Sequence, residues 1–71
     1  MNEFQLLSMA GKKIRSARMH KKMTQDDLSV KCNFEKARLS RIENGRANPT
    51  IRSLYKICVA LDIKLVDLFR D

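Results

Sequence analysis

Cysteine and histidine are scarce in this chain of seventy-one residues, and their scarcity removes whole classes of chemistry. Two cysteines, Cys32 and Cys58, are too few for a disulfide framework, and neither sits in a C-x-x-C or Cys/His pair suited to zinc. With His20 as the one histidine, neither a metal nor any other cofactor is expected. The two thiols read as small buried apolar groups, which suits a reducing compartment such as the cytoplasm. No apolar run approaches the roughly 20 residues that cross a bilayer, and no basic-then-apolar opening reads as a signal peptide. Low-complexity tracts, repeats and linkers are missing, so residues 1–71 are expected to form one small domain. No stretch alternates at period two for long enough to make a strand. A plausible nucleophile–base pair and a glycine-rich phosphate loop are also missing, so neither catalysis nor a small-molecule ligand is expected.

What the chain has in excess is positive charge. A formal +7 on so short a sequence predicts an anionic partner. The cations are concentrated: Lys12, Lys13, Arg15, Arg18, Lys21, Lys22, Lys31, Lys36, Arg38, Arg41 and Arg46 face only Asp26, Asp27, Glu35 and Glu43 in the same segment. From Arg52 onward the chain is close to neutral. Nucleic acid or an anionic membrane could answer such a surface, and the helical pattern beneath it favours nucleic acid.

That pattern is all-α, with five short helices. Leu7, Ala10, Ile14 and Ala17 recur at steps of three or four, which predicts a first helix over about residues 9–22 after a short lead. Thr24 is an N-cap, and Asp27 three residues on completes a capping box for a second helix. Leu28 and Cys32 face inward, and Asn33 stands where the chain must turn sharply. A third helix follows from Lys36 to Glu43 or Asn44, with Phe34, Leu39 and Ile42 toward the core and Gly45 ending it. Thr50 opens a fourth helix over 51–61, whose buried stripe is Ile51, Leu54, Ile57, Cys58 and Leu61. A last short helix over 65–69 brings Val66, Leu68 and Phe69 to the core or to an interface. Met9, Met19 and Met23 read as gap fillers in or near the core.

The second and third helices, joined by a tight turn, have the layout of a helix-turn-helix that seats one helix in the major groove of DNA. Lys36, Ala37, Ser40 and Arg41 share the outer face of the third helix, opposite Leu39 and Ile42. Lys36 and Arg41 are the candidate base readers, and Arg41 can grip guanine O6 and N7 with two bonds. Ala37 suits a thymine methyl, Ser40 any base or a phosphate, and Glu35 the amino group of cytosine. Arg38 points away from the base-reading face and is expected at a phosphate. Asn44 and Arg46, in the turn after the helix, are further phosphate candidates. Gln25, in the first turn of the second helix beside free backbone N–H groups, is another.

The run Met23-Thr24-Gln25 … Leu28, then Leu39-Ser40-Arg41-Ile42-Glu43-Asn44-Gly45, then Asn48-Pro49-Thr50 and Leu68-Phe69 resembles the Cro/CI-type (XRE) family of DNA-binding domains across about Gly11 to Phe69. The resemblance implies a lambda-repressor-like fold and double-stranded DNA as the partner. It supports Gln25 at a phosphate-clamping position. It also implies an ion pair between Arg18, near the end of the first helix, and Glu43, which closes the third, with Arg18 also close to phosphate. The chain departs from the family pattern at Ser29, where Ala is usual, at Glu35 and Lys64, where helix caps are usual, and at Asp62, where Gly is common. Within the family, small dimeric restriction–modification controller proteins are similar to this chain, although Lys36-Ala37-Arg38 replaces their usual Arg-Thr-Tyr.

The expected function is a sequence-specific transcriptional regulator that binds a palindromic operator as a homodimer, because one small module reads only a few base pairs. Tyr55, Leu65 and Phe69 are candidates for the dimer interface, with the apolar lead of Phe4, Leu6 and Leu7 as a second option. Two rivals stand beside it: an antitoxin-like module whose main task is to bind a protein, and a non-specific basic binder of nucleic acid.

Overall fold

The computed structural model describes residues 1–70, which contain four α-helices and one short 3-10 helix. They are α1 (Glu3–His20), α2 (Gln25–Cys32), α3 (Lys36–Glu43) and α4 (Ile51–Leu61), followed by the 3-10 segment Leu65–Phe69. The all-α expectation holds, but the fifth element is a 3-10 turn rather than an α-helix.

Local chemistry explains where the helices start. The Thr24 hydroxyl accepts from the Asp27 N–H at 3.0 Å, and the Asp27 carboxylate accepts from the Thr24 N–H at 2.9 Å. These bonds hold the Asp27 carboxyl below its usual pKa, the backbone bond from Thr24 contributing most. Thr50 caps α4 by accepting from the Ser53 N–H at 3.1 Å. Glu35 stands ahead of α3 with extended backbone and no side-chain cap.

The start of α1 differs from the expected lead over residues 1–8. Asn2 Oδ1 accepts from the Gln5 N–H at 2.8 Å, and Gln5 Oε1 accepts from the Asn2 N–H at 2.9 Å. This capping box satisfies two orphan donors and carries the helix back to Glu3.

Three helices end on a residue of left-handed backbone that is not glycine. Lys22 (φ 57°) follows α1, Asn33 (φ 58°) follows α2 and Asp62 (φ 56°) follows α4. Each is succeeded by an N–H that reaches back into the last turn: Met23 to Arg18 O at 3.1 Å, Phe34 to Ser29 O at 2.9 Å and Ile63 to Cys58 O at 3.0 Å. The Asn33 geometry provides the tight turn between α2 and α3.

The core lies where all five elements converge. Ile14, Leu28, Leu39, Ile57, Leu61 and Leu68 are fully buried, and each contributes about 1.5–3 kcal/mol by leaving water. Ile51, expected in the buried stripe of α4, is exposed instead, as are Met19, expected in or near the core, and Val66, expected at the core or an interface. Ile51 is 62% exposed, while Ser53 and Leu54 carry the buried face of the first turn of α4. Met19 is 57% exposed, lying well over 90° around α1 from Ile14. Val66 is 55% exposed because the 3-10 turn aims Leu68 inward and Val66 away.

Gly11 sets the distance between α1 and α3. A Cβ there would lie 2.5 Å from both the Ile42 and Glu43 carbonyl oxygens, so only glycine permits this approach. A mid-helix glycine costs about 1 kcal/mol in helix propensity, and the close packing of α3 on α1 offsets it.

Candidate nucleic-acid interface

The outer face of α3 carries Lys36, Ala37 and Arg41 exposed and Ser40 half-buried. Beneath it Leu39 and Ile42 are 0% and 3% exposed, so the helix is anchored by one side only. The four outward residues lie at i, i+1, i+4 and i+5, which spans the two turns that a helix can offer to a groove. Glu35 is exposed at the start of the same helix. Asn44 and Arg46 are exposed just past its end, where the Asn44 amide donates to the Ser40 carbonyl at 2.9 Å.

The structure brings Arg18 and Glu43 together. Arg18 Nε donates to Glu43 Oε2 at 2.8 Å, and Nη2 donates to Oε1 at 3.0 Å. Nη1 donates to the Met23 carbonyl at 2.8 Å. The two side chains are 11% and 1% exposed. The guanidinium is thus turned inward, away from the phosphate contact also expected of it, because a buried carboxylate is its nearer partner. The same carboxylate accepts from Gln25 Nε2 at 3.2 Å, so α1, α2 and α3 meet at Glu43.

Arg38 was expected at a phosphate and is placed otherwise. Its guanidinium lies 4.6 Å from the centroid of the Phe34 ring, and Nη2 donates to Ser53 Oγ at 2.8 Å. Stacking on an aromatic face and a hydrogen bond to α4 hold it against the protein, so it braces α3 on α4. Gly11 and Ser53 build the site without having been expected to. A glycine inside an apolar-periodic helix is a readable sign of close approach. Nothing in the sequence pairs Ser53 with Arg38. Gly45 (φ 70°) passes close to α1, where a Cβ would lie 2.9 Å from the Ser8 Cα.

The dimer candidates fall on different surfaces. Phe69, 36% exposed, lines an apolar groove with Leu6, Pro49 and Ile51. Tyr55, 59% exposed, lines a separate groove with Lys31, Asn33 and Val59. Leu65 is half-buried against the core. Cys32 and Cys58 are free and buried, and burial pushes both thiols above their ordinary pKa. Among the described residues no cluster of metal-binding side chains occurs, and no helix is long and apolar enough to cross a membrane.

An exposed basic helix clamped on a three-helix support, reached through a tight left-handed turn, defines a helix-turn-helix protein. Comparison with known proteins agrees: the helix-turn-helix family model HTH_3 matches residues 14–68. The chain belongs to this family, the Cro/CI-type (XRE) class of DNA-binding transcriptional regulators. It is 33% identical over 60 residues to the HTH-type transcriptional regulator y4dJ of Sinorhizobium fredii, covering 84% of this chain and 78% of that protein. Several further relatives are longer, and the chain spans 27 to 41% of their length. Among solved structures it is similar to the restriction–modification controller protein C.AhdI from Aeromonas hydrophila, with 27% identity and a TM-score of 0.85. That match covers 89% of this chain and 96% of the other. It is also similar to the controller protein C.Esp1396I, described as a tetramer in complex with its natural 35 base-pair operator. There the identity is 39% and the TM-score 0.81, covering 90% of this chain and 84% of that one.

Proposed function

We propose that this chain is a homodimeric regulator that binds a palindromic operator in the cytoplasm and acts by occupying DNA, without catalysis. The observation that carries this reading is the outer face of α3, where Lys36, Ala37, Ser40 and Arg41 stand together over the buried Leu39 and Ile42. In this reading Lys36 and Arg41 contact base edges, Ala37 meets a thymine methyl, and Ser40 and Glu35 supply smaller polar contacts. Gln25, Asn44 and Arg46 hold phosphates on either side and fix the register of the helix.

The apolar groove of Leu6, Pro49, Ile51 and Phe69 is the surface through which a second copy joins, so that two α3 helices read half-sites about one helical turn apart. Similarity to two controller proteins favours a controller role in a restriction–modification system. The test is selection of bound sequences from a random duplex pool. A palindromic consensus is the expected result, and a pool with no enrichment contradicts the reading.

A further inference from the structure

The carboxylate of Glu43 does more than the ion pair with Arg18 requires. Its side chain is 1% exposed, and it accepts from Arg18 Nε at 2.8 Å, Arg18 Nη2 at 3.0 Å and Gln25 Nε2 at 3.2 Å. Arg18 also holds the Met23 carbonyl at 2.8 Å, which fixes the backbone immediately ahead of the Thr24 cap and hence the first turn of α2. The bond to Gln25 has no such structural necessity, because that residue is half-buried and water could satisfy its amide.

A glutamine amide carries two N–H bonds in one plane, diverging from a single nitrogen. When one is pinned to an immobile acceptor, the direction of the other is determined. We propose that Glu43 is a positioning residue for DNA binding. Locked by Arg18, it pins one amide N–H of Gln25 and presents the other to a backbone phosphate at the start of α2. This role rests on the DNA-binding reading above.

The physical gain is preorganisation. A free glutamine side chain loses rotamer freedom when a ligand immobilises it, a cost on the order of tenfold in affinity. Here that freedom is lost on folding, before DNA arrives. A carboxylate suits the task because it has enough lone pairs to accept from both neighbours at once. Arg18 neutralises it, so that the phosphate does not face an unpaired negative charge.

The test measures binding to a duplex of the selected sequence by the wild-type chain, Gln25→Ala, Glu43→Leu and the double variant. In the wild-type background Gln25→Ala is expected to weaken binding about tenfold. In the Glu43→Leu background, where no acceptor remains for Gln25, the same change is expected to cost no more than about threefold, because an unpinned amide contributes little. Equal costs in both backgrounds overturn the positioning role while leaving DNA binding intact. A wild-type chain that does not bind the duplex overturns the DNA reading and this role together.

Should Glu43→Leu fail to fold, the side-chain amide signals of Gln25 in wild-type protein decide the matter by NMR. One Nε2 proton protected from exchange in the free protein, with the other shifting when DNA is added, is the expected pattern. Two freely exchanging protons overturn the pinning.

Discussion

Arg18 and Glu43, twenty-five positions apart, form a two-bond ion pair that ties α1 to the last turn of α3. With side chains 11% and 1% exposed, the pair is largely shielded from solvent and from screening by salt. Removing the arginine strands a buried carboxylate, so Arg18→Ala is expected to lower stability by about 3 kcal/mol. Urea denaturation checks this, and an alanine variant as stable as the parent contradicts it. Replacing both partners by apolar residues, as in Arg18→Met with Glu43→Leu, is expected to recover most of the loss.

Gly11→Ala sets two effects against each other. Alanine gains about 1 kcal/mol of helix propensity, but its Cβ would lie 2.5 Å from two backbone carbonyl oxygens of α3. Backbone cannot yield as a side-chain tip can, so the expected outcome is a net destabilisation of about 2 kcal/mol, within the range for overpacking. Denaturant titration decides the sign. A more stable variant means that α1 and α3 do not approach as described.

The left-handed residues give the opposite expectation. Lys22 and Asp62 hold φ near +57° and +56° at helix ends, where glycine meets no steric penalty. Lys22→Gly is expected to stabilise by about 1 kcal/mol, and Asp62→Gly by somewhat less because aspartate tolerates this region better than lysine. Asn33→Gly is expected to gain little for the same reason. For a domain of this size 1 kcal/mol raises Tm by about 4–8 °C, which calorimetry resolves.

Asp27 predicts a pH dependence. Its folded carboxyl lies below the ordinary value of 3.8, chiefly through the backbone N–H of Thr24. The unfolded chain therefore binds the proton more readily. The contribution of the capping box is present above that ordinary value and is lost as pH falls through the lower folded one. The stability difference between wild type and Asp27→Asn is expected to be constant near neutrality and to vanish in strong acid. A difference that persists unchanged in acid contradicts the role of the charged carboxylate.

Capping chemistry explains which parts of the fold were legible in the sequence. Thr24 with Asp27, Asn33, and Thr50 act within three or four residues of themselves, and both ends of α2 and the start of α4 follow from them. The same chemistry at Asn2 and Gln5 lies beside the apolar Phe4, Leu6 and Leu7, which read as a lead, so α1 begins earlier than its periodicity suggests. The final five-residue turn could not be assigned as 3-10, because a single turn carries no period that separates steps of three from steps of four.

The candidate site divides along the same line. The exposed face of α3 follows from helical spacing alone. The inward turn of Arg38 depends on Phe34 and Ser53, and the turn of Arg18 on Glu43 and Met23. A long flexible cation takes the partner that tertiary packing offers, and spacing does not name that partner.

Base reading by α3 is tested most directly by repeating the selection from a random duplex pool with Arg41→Ala beside the wild-type chain. The variant is expected still to enrich a palindrome but to lose preference at one base pair, symmetrically in both half-sites. An identical consensus from the two proteins would contradict the assignment of Arg41 as a base reader.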